Sequence, residues 1–252
     1  MRGKGKLQIP RNIQRDEYDI MAKYRTGVDE QDSASYMTME LCKQDLFDLI
    51  ASKGPTTSEP LAKYLFKQIC NGVDALHTTA GFAHLDIKLE NILISKDYKL
   101  KLCDFGFAQG ISERITKRYG TESYMAPEVE SNVQLNYMGI SADIFSLGVI
   151  LFIITFGAPP FTRAVPSDRN FNIFTRNKDC FWKMHPSVKK YVAKAGEVNP
   201  RLIDLLTSML SADIGTRPAS VKSVLEHPFF EDVEQQVSRE ALETEFKKLV
   251  DS

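Results

Sequence analysis

Cysteine, net charge and long apolar segments are all scarce in this chain. The four cysteines are widely spaced and form no Cys-x-x-Cys pair, so neither a zinc site nor a disulfide framework is predicted, and a reducing compartment is favoured. The 32 basic and 33 acidic residues leave a formal net charge of −1, so no global field favours nucleic acid or an anionic membrane. Any recognition by charge must therefore be local.

No segment predicts export or membrane insertion. The first six residues are charged like the start of a signal peptide, but residues 7–19 supply no apolar stretch behind them. The strongest apolar run, Leu147 to Phe156, is far shorter than the ~20 residues of a membrane span and indicates a buried core helix. We therefore expect a cytoplasmic or nuclear protein that is not secreted, with no membrane span and no nucleic-acid partner.

Apolar spacing predicts a mostly helical protein with a few short strands. Residues 36–41 alternate like a strand, and several later segments place apolar residues at helical intervals. Two short strand-like runs, 91–94 and 99–102, flank a polar turn and predict a hairpin. Residues 161–200 are predicted to be loop-rich. The predicted helices are 46–50, 61–76, 141–156, 200–210 and 219–226, followed by a charged amphipathic tail.

Three short motifs bring together the residue types that phosphoryl transfer needs. They are His-Leu-Asp-Ile-Lys-Leu-Glu-Asn (84–91), Asp-Phe-Gly (104–106) and Ala-Pro-Glu (126–128). Each alone could be a turn or a chance match, but their order and spacing resemble the signature of the protein kinases. The resemblance implies an α+β protein-kinase-like fold, with a mostly helical large lobe and a remnant of the small-lobe β-sheet.

On that resemblance, each chemical role falls on a matching position. Asp86 would orient the substrate hydroxyl and accept its proton, and Lys88 would steady the transferring phosphoryl group. Thr121 would bond to both, as in the enzymes that act on serine or threonine. Asn91 and Asp104 would hold Mg²⁺ on the phosphates of ATP. The implied reaction is transfer of the γ-phosphate of ATP to a hydroxyl of a protein substrate.

The same resemblance assigns a site for the adenine base and a set of structural residues. Met39 would be the gatekeeper, and the backbone from Glu40 to Cys42 would be the hinge that binds the base. Leu93 would form the floor beneath it. The residues with implied structural roles are Glu128 and Arg217 as a buried ion pair, Asp143 as the anchor of the catalytic loop, and His84 with Phe105 in an internal apolar spine.

The chain departs from the family pattern in two places that bear on activity. Leu85 stands where the family has an arginine that pairs with a phosphate group on the activation segment. We therefore do not expect activity to be switched by phosphorylation of that segment. Arg114, Lys117 and Arg118 are accordingly interpreted as solvated charges. Upstream of Met39, nothing matches a glycine-rich phosphate loop or a V-A-I-K lysine strand, so the small lobe is expected to be incomplete.

Two hypotheses of function follow. One is a serine/threonine kinase dependent on Mg²⁺ and ATP, completed by a small-lobe segment that this chain lacks. The other is a catalytically inactive kinase-fold subunit that binds a protein partner. Phosphotransferases for small molecules share the His-x-Asp and the later Asn, but they match less well after Asp104. The expected division is 1–42 as small-lobe remnant and hinge, 43–230 as large lobe and 231–252 as helical tail.

Overall fold

A computed structural model describes residues 24–29, 34–56, 58–131, 135–231 and 237–252, with backbone only for 24–29 and 34–37. The strands are β1 (Tyr24–Asp29), β2 (Ala34–Met39), β3 (Gln44–Asp45), β4 (Phe82–Ala83), β5 (Ile92–Ile94), β6 (Leu100–Leu102), β7 (Gln109–Gly110), β8 (Arg114–Ile115) and β9 (Tyr137–Met138). The helices are α1 (Leu46–Lys53), α2 (Glu59–Ala75), α3 (Pro127–Glu130), α4 (Gly139–Phe156), α5 (Arg169–Arg176), α6 (Lys178–Met184), α7 (Pro186–Ala195), α8 (Pro200–Met209), α9 (Val221–Leu225) and α10 (Arg239–Asp251).

Helix α4 is the centre of the helical lobe. It is apolar on all sides, and α2, α7 and α8 pack around it. Within the described residues it is the one helix long and apolar enough to cross a membrane, yet 89% of that stretch is buried inside the protein. A helix that is hydrophobic all round and enclosed by other helices is a core helix. The prediction of a buried helix at Leu147 to Phe156 is confirmed.

Helix α2 covers one side of the core through a regular apolar stripe. Leu65, Ile69 and Val73 are almost fully buried, as the helical spacing predicts. The Ser58 side chain begins the helix by accepting the backbone N–H of Leu61, which satisfies one of the N–H groups that a helix start leaves unpaired. On the outer face of α2 lies α10.

The predicted hairpin is confirmed, and it joins a third strand. Strand β5 pairs antiparallel with β6, and β3 pairs with the other edge of β5. The turn between β5 and β6 is closed by backbone bonds between Ser95 and Lys99 and between Tyr98 and Ser95. The hairpin sets the separation between the residue before β5, Asn91, and the residues after β6, where Asp104 lies.

The prediction of a loop-rich segment at 161–200 is wrong, because this segment folds into α5, α6 and α7. Two polar side chains begin the first two helices: Asp168 accepts from Phe171 N and Asn177 accepts from Cys180 N, both at 2.9 Å. Buried aromatic rings then hold the helices to the core, with Phe174 and Phe181 stacked edge to face at 5.0 Å. Caps and a few aromatics are sufficient for short helices even where apolar residues are sparse.

The remaining predictions of organisation have different outcomes. Helices α1, α8 and α9 confirm three predicted helices, and β2 covers most of the strand predicted at 36–41. In the tail, Leu242 and Phe246 of α10 are buried. The domain boundaries at residues 42 and 230 stay predictions.

Candidate active site

The loop before Asp86 is fixed by a carboxylate from the core helix. Asp143 of α4 is fully buried, and its two oxygens accept the backbone N–H groups of His84 at 2.7 Å and Leu85 at 2.8 Å. Its Oδ2 also lies 2.8 Å from His77 Nε2. Leu85 has a φ of 66°, a left-handed conformation that costs a non-glycine residue about 1 kcal/mol or more. The predicted anchoring role of Asp143 is confirmed.

Asp86 faces a hydroxyl and an ammonium group. Its Oδ1 accepts a hydrogen bond of 2.8 Å from Thr121 Oγ1, and its Oδ2 lies 3.0 Å from Lys88 Nζ. Lys88 Nζ also donates to Thr121 Oγ1 at 3.0 Å. Asp86 is 6% exposed. The structure therefore joins the three predicted catalytic residues in one closed triangle of contacts. The triangle links residues 84–91, the predicted catalytic loop, to the segment carrying Thr121.

Asn91 and Asp104 lie at the two ends of the β5–β6 hairpin. Asn91 Nδ2 donates to the backbone oxygen of Asp86 at 2.9 Å, and Asn91 O accepts from Cys103 N at 3.0 Å. Asp104 follows directly, with a left-handed φ of 60° and an exposed side chain. The hairpin therefore places one amide and one carboxylate beside the residues around Asp86.

These two side chains fit a magnesium ion of the kind that carries a nucleotide. Because the Asn91 amide nitrogen is engaged with Asp86, the amide oxygen is the atom left to face a cation. The Asp104 carboxylate supplies a second hard oxygen ligand. Mg²⁺ is commonly held by one or two protein oxygens together with water and phosphate oxygens. No cluster of three or more His, Cys, Asp or Glu side chains suited to a metal occurs among the described residues.

Phe105 ties Asp104 to the rest of the loop. Its ring centroid lies 5.3 Å from that of His84. His84 Nε2 donates to the Cys103 backbone oxygen at 2.9 Å, while Asp86 N donates to His84 Nδ1 at 3.2 Å. The buried imidazole thus bridges the backbones beside Asp86 and beside Asp104. His84 and Phe105 are therefore in contact, while their membership of an apolar spine stays a prediction.

The residues predicted to bind adenine lie at the end of β2, on its connection to β3 and in the middle of β5. Met39 is 42% exposed, and Glu40 pairs with Lys101 Nζ of β6 at 2.8 Å. Cys42 and Leu93 are half-buried, and burial first, then Glu40, raises the pKa of the Cys42 thiol. The Glu40–Lys101 pair ties the connection to the β-sheet that bears Leu93. The binding of adenine by these residues stays a prediction.

Cys103, next to Asp104, has a buried thiol that is held in its protonated form. Burial, and then the neighbouring Asp104 carboxylate, raises the pKa of this thiol to about 12. A thiol with so high a pKa stays protonated at neutral pH, and the thiolate is the reactive form. The chemistry of the site therefore depends on its carboxylates, its amide and its ammonium group.

Glu128 and Arg217 form the predicted ion pair. Arg217 Nη1 and Nη2 bind the two Glu128 oxygens at 2.7 Å and 2.8 Å, and the arginine side chain is fully buried. Arg217 Nε also donates to Ser211 O at 2.7 Å. The fork geometry of the pair fixes the start of α3 against the loop before α9.

Arg118 is not the solvated charge that the sequence indicated. It donates to the buried carboxylate of Glu130 on α3, and Arg163 donates to the same carboxylate from the other side. Sequence reasoning missed both Glu130 and Arg163, because an acidic residue two places after Ala-Pro-Glu is ordinarily exposed. No sequence signal pointed to this carboxylate, because Arg118 already has Glu122 as an acidic neighbour four residues later.

The sequence was compared with known protein families and proteins. The sequence profile of the protein kinase domain family matches residues 13–230. A probable serine/threonine-protein kinase, fhkC, of Dictyostelium discoideum is 29% identical over 234 residues, which are 88% of this chain and 37% of that protein. Calcium-dependent protein kinase 22 of Oryza sativa subsp. japonica is 34% identical over 223 residues, 86% of this chain and 36% of the relative. The chain thus spans about a third of the length of these relatives.

Proposed function

The chain belongs to the eukaryotic-type serine/threonine protein kinase family, and from that premise we propose that it transfers the γ-phosphate of ATP to a serine or threonine hydroxyl of a protein. The family generally uses ATP and Mg²⁺. The observation that supports the proposal most strongly is the closed contact of Asp86, Lys88 and Thr121. Its three members carry the groups that this chemistry needs, and they come from two separate parts of the chain.

Each member of the triangle has a task in such a reaction. The Asp86 carboxylate would accept a hydrogen bond, and then the proton, from the attacking hydroxyl. The Lys88 ammonium group would offset the negative charge that gathers on the transferring phosphoryl group. Thr121 holds the segment that would carry the substrate close to the base. When bound, Mg²⁺ neutralises phosphate charge, and Asn91 with Asp104 would hold it.

Phosphorylation of serine and threonine peptides by the purified chain tests this proposal. We expect Asp86→Asn to lower kcat by a factor of about 10²–10⁴, because a positioned general base contributes that much. The matched control is Asp97→Asn, the same change on the exposed hairpin turn, which should retain wild-type activity. Equal activity of Asp86→Asn and wild type, at equal thermal stability, would refute the assignment.

A second candidate function is a catalytically inactive subunit that binds a protein partner. The observation that favours it is the exposure of two apolar side chains, Met39 at the end of β2 at 42% and Leu41 just after it at 77%. Exposed apolar side chains that lie together can mark an interaction surface. Under this reading, the folded wild-type chain phosphorylates no peptide. Replacement of Leu41 by serine then weakens partner capture without lowering stability.

A further inference from the structure

A second charged cluster lies beside the active site, and the proposed mechanism does not use it. Its centre is Glu130, the last residue of α3, whose side chain is 0% exposed. Arg118 donates to Glu130 Oε2 through Nη2 at 2.5 Å and through Nε at 3.2 Å. Arg163 binds the other oxygen of the same carboxylate. Glu122 is an outer, 58% exposed member, 3.1 Å from Arg118 Nη2.

The cluster acts on the segment that delivers Thr121. Arg118 precedes Thr121 by three residues, so a fixed Arg118 leaves only Tyr119 and Gly120 between two anchored positions. Gly120 has a φ of 107°, and a Cβ there would lie 2.6 Å from Leu85 O, so the segment passes tightly over the catalytic loop. The segment is also held from the other side, where Tyr137 Oη donates to Lys117 O at 2.9 Å.

We propose that Glu130 is a positioning residue, which holds residues 114–121 in the catalytic arrangement without phosphorylation of the segment. The inference rests on the proposed function, and it deepens it by naming how the site is kept ordered. Leu85 is an apolar, 6% exposed residue, so the catalytic loop offers a phosphate no cation at that position. The negative charge that pairs with Arg118 of the segment comes instead from the Glu130 carboxylate within the fold.

Charge and burial explain why the single carboxylate of Glu130 suffices to hold both arginines. An arginine fork binds carboxylate oxygens with directed, charge-assisted bonds, and two forks compensate a carboxylate removed from water. The hydrogen bond to Glu130 also raises the pKa of Arg118. Arg118 and Arg163 are 30% and 45% exposed, so both can turn to water when the carboxylate is neutralised. Glu130→Gln is therefore expected to fold while releasing the segment.

Hydrogen exchange measures this release without requiring activity. In Glu130→Gln we expect backbone amides within residues 114–121 to exchange roughly tenfold faster or more, since local opening sets exchange. Amides of α4 should stay as in wild type. The matched control is Glu122→Gln, which removes the exposed partner of Arg118 and a 3.9 Å contact with Arg163 but leaves Glu130 in place. It should change exchange little. If Glu130→Gln does not fold, Arg118→Gln, with its more exposed side chain, is expected to give the same local effect.

Kinetics then separate a positioning role from a merely structural one. For Glu130→Gln we expect kcat for a peptide to fall about 10²-fold, as for a misplaced reacting group, with the KM for ATP unchanged. Arg118→Lys keeps the cation without the fork, so it should lose less activity than Arg118→Gln. Wild-type activity should survive phosphatase treatment. Unchanged exchange at 114–121 in both folded variants, or loss of wild-type activity on phosphatase treatment, would overturn the proposal. A wild type without activity refutes the proposed function, and the exchange result alone then decides the role of Glu130.

Discussion

Carboxylates inside this lobe have different tasks, and the partner of each one determines its task. Asp86 faces a hydroxyl and an ammonium group, which suits a proton acceptor. Asp143 faces two backbone N–H groups and therefore fixes a loop. Glu128 and Glu130 face arginine forks, so they join separate parts of the chain. The same type of side chain, a carboxylate, thus serves a chemical role at one position and a structural role at another, according to the groups around it.

Neutralising Glu128 should destabilise the fold more than any surface change. Glu128→Gln leaves the guanidinium of Arg217, which is fully buried, without its counter-ion, and breaking such a pair costs about 3–5 kcal/mol. The bonds from Arg217 to Ser211 O and Ser141 O remain, so we expect the lower end of this range. Urea unfolding measures the difference. Glu226→Gln, which removes the exposed pair with Lys222, should cost at most about 1 kcal/mol, and an equal loss in both variants would contradict the expectation.

His185 should make stability depend on pH in the mildly acidic range. Burial between aromatic rings lowers its pKa from 6.5, and this outweighs the opposing hydrogen bond to Pro160 O. Among the described residues, Nδ1 is buried without a partner, so a proton added there cannot be solvated. Because the unfolded state binds this proton more tightly, stability is full above pH 6.5 and falls as the pH drops towards the folded pKa.

The contribution of His185 to the pH dependence of stability can be measured by comparing wild type with His185→Gln. We expect the free energy of unfolding of wild type, measured at pH 7.5 and at pH 5.5, to fall more than that of His185→Gln. Both proteins share the titration of every other group, so the excess slope belongs to this imidazole. An identical slope in the two proteins would show that His185 titrates alike in the folded and unfolded states.

At the scale of elements, sequence periodicity predicted those parts of the fold that have a strong period. Helix α2 could be predicted because one of its faces is apolar, and helix α4 because it is apolar on all sides. Helices α5 to α7 were not predicted, because they have no strong apolar period. They are stabilised instead by capping residues such as Asp168 and Asn177 and by scattered aromatic side chains. The catalytic triangle was predicted through motif order, whereas Glu130 was not, because its burial depends on arginines 12 and 33 residues away.

The packing of α4 against β4 depends on the absence of a side chain. A Cβ at Gly139, the first residue of α4, would lie 2.4 Å from the Cβ of Ala83 and 3.3 Å from Leu85 Cδ2. Alanine favours a helix by about 1 kcal/mol over glycine. The clash opposes this gain, because a Cβ is fixed to the backbone and cannot move away by side-chain rotation. Overpacking of this kind costs about 1–3 kcal/mol. We expect Gly139→Ala to lower stability, and to lower activity more, because Ala83 leads directly into the catalytic loop.

A methyl exchange across this contact gives the control. In Ala83→Gly with Gly139→Ala, the methyl group is moved from one element to the other, so the clash is relieved. The double variant should be more stable than the sum of the single changes predicts, with a coupling of about 0.5–3 kcal/mol. Additive effects in urea unfolding would indicate that the two elements do not touch tightly.

At the scale of the molecule, the described large lobe is self-consistent, while its use of a nucleotide stays a proposal. The core helix, the catalytic loop and the Thr121 segment are linked by buried contacts through Asp143, Glu128 and Glu130. Those contacts make a lobe that holds its shape in either functional reading. A catalyst and a binding subunit built on this lobe therefore differ in ligand binding and not in the fold.

Nucleotide binding to the whole chain should be visible as thermal stabilisation that requires Mg²⁺. A ligand that binds only the folded state at 100 times its Kd adds about 2.7 kcal/mol, which for a chain of this size raises Tm by about 5–10 °C. We expect ATP with Mg²⁺ to produce such a shift. Asp104→Asn removes one of the two proposed oxygen ligands, so it should abolish the part that depends on Mg²⁺, whereas Asp97→Asn should not. A Tm unaffected by ATP and Mg²⁺ in wild type would favour the binding subunit, because a site that cannot retain the nucleotide has no phosphate to transfer.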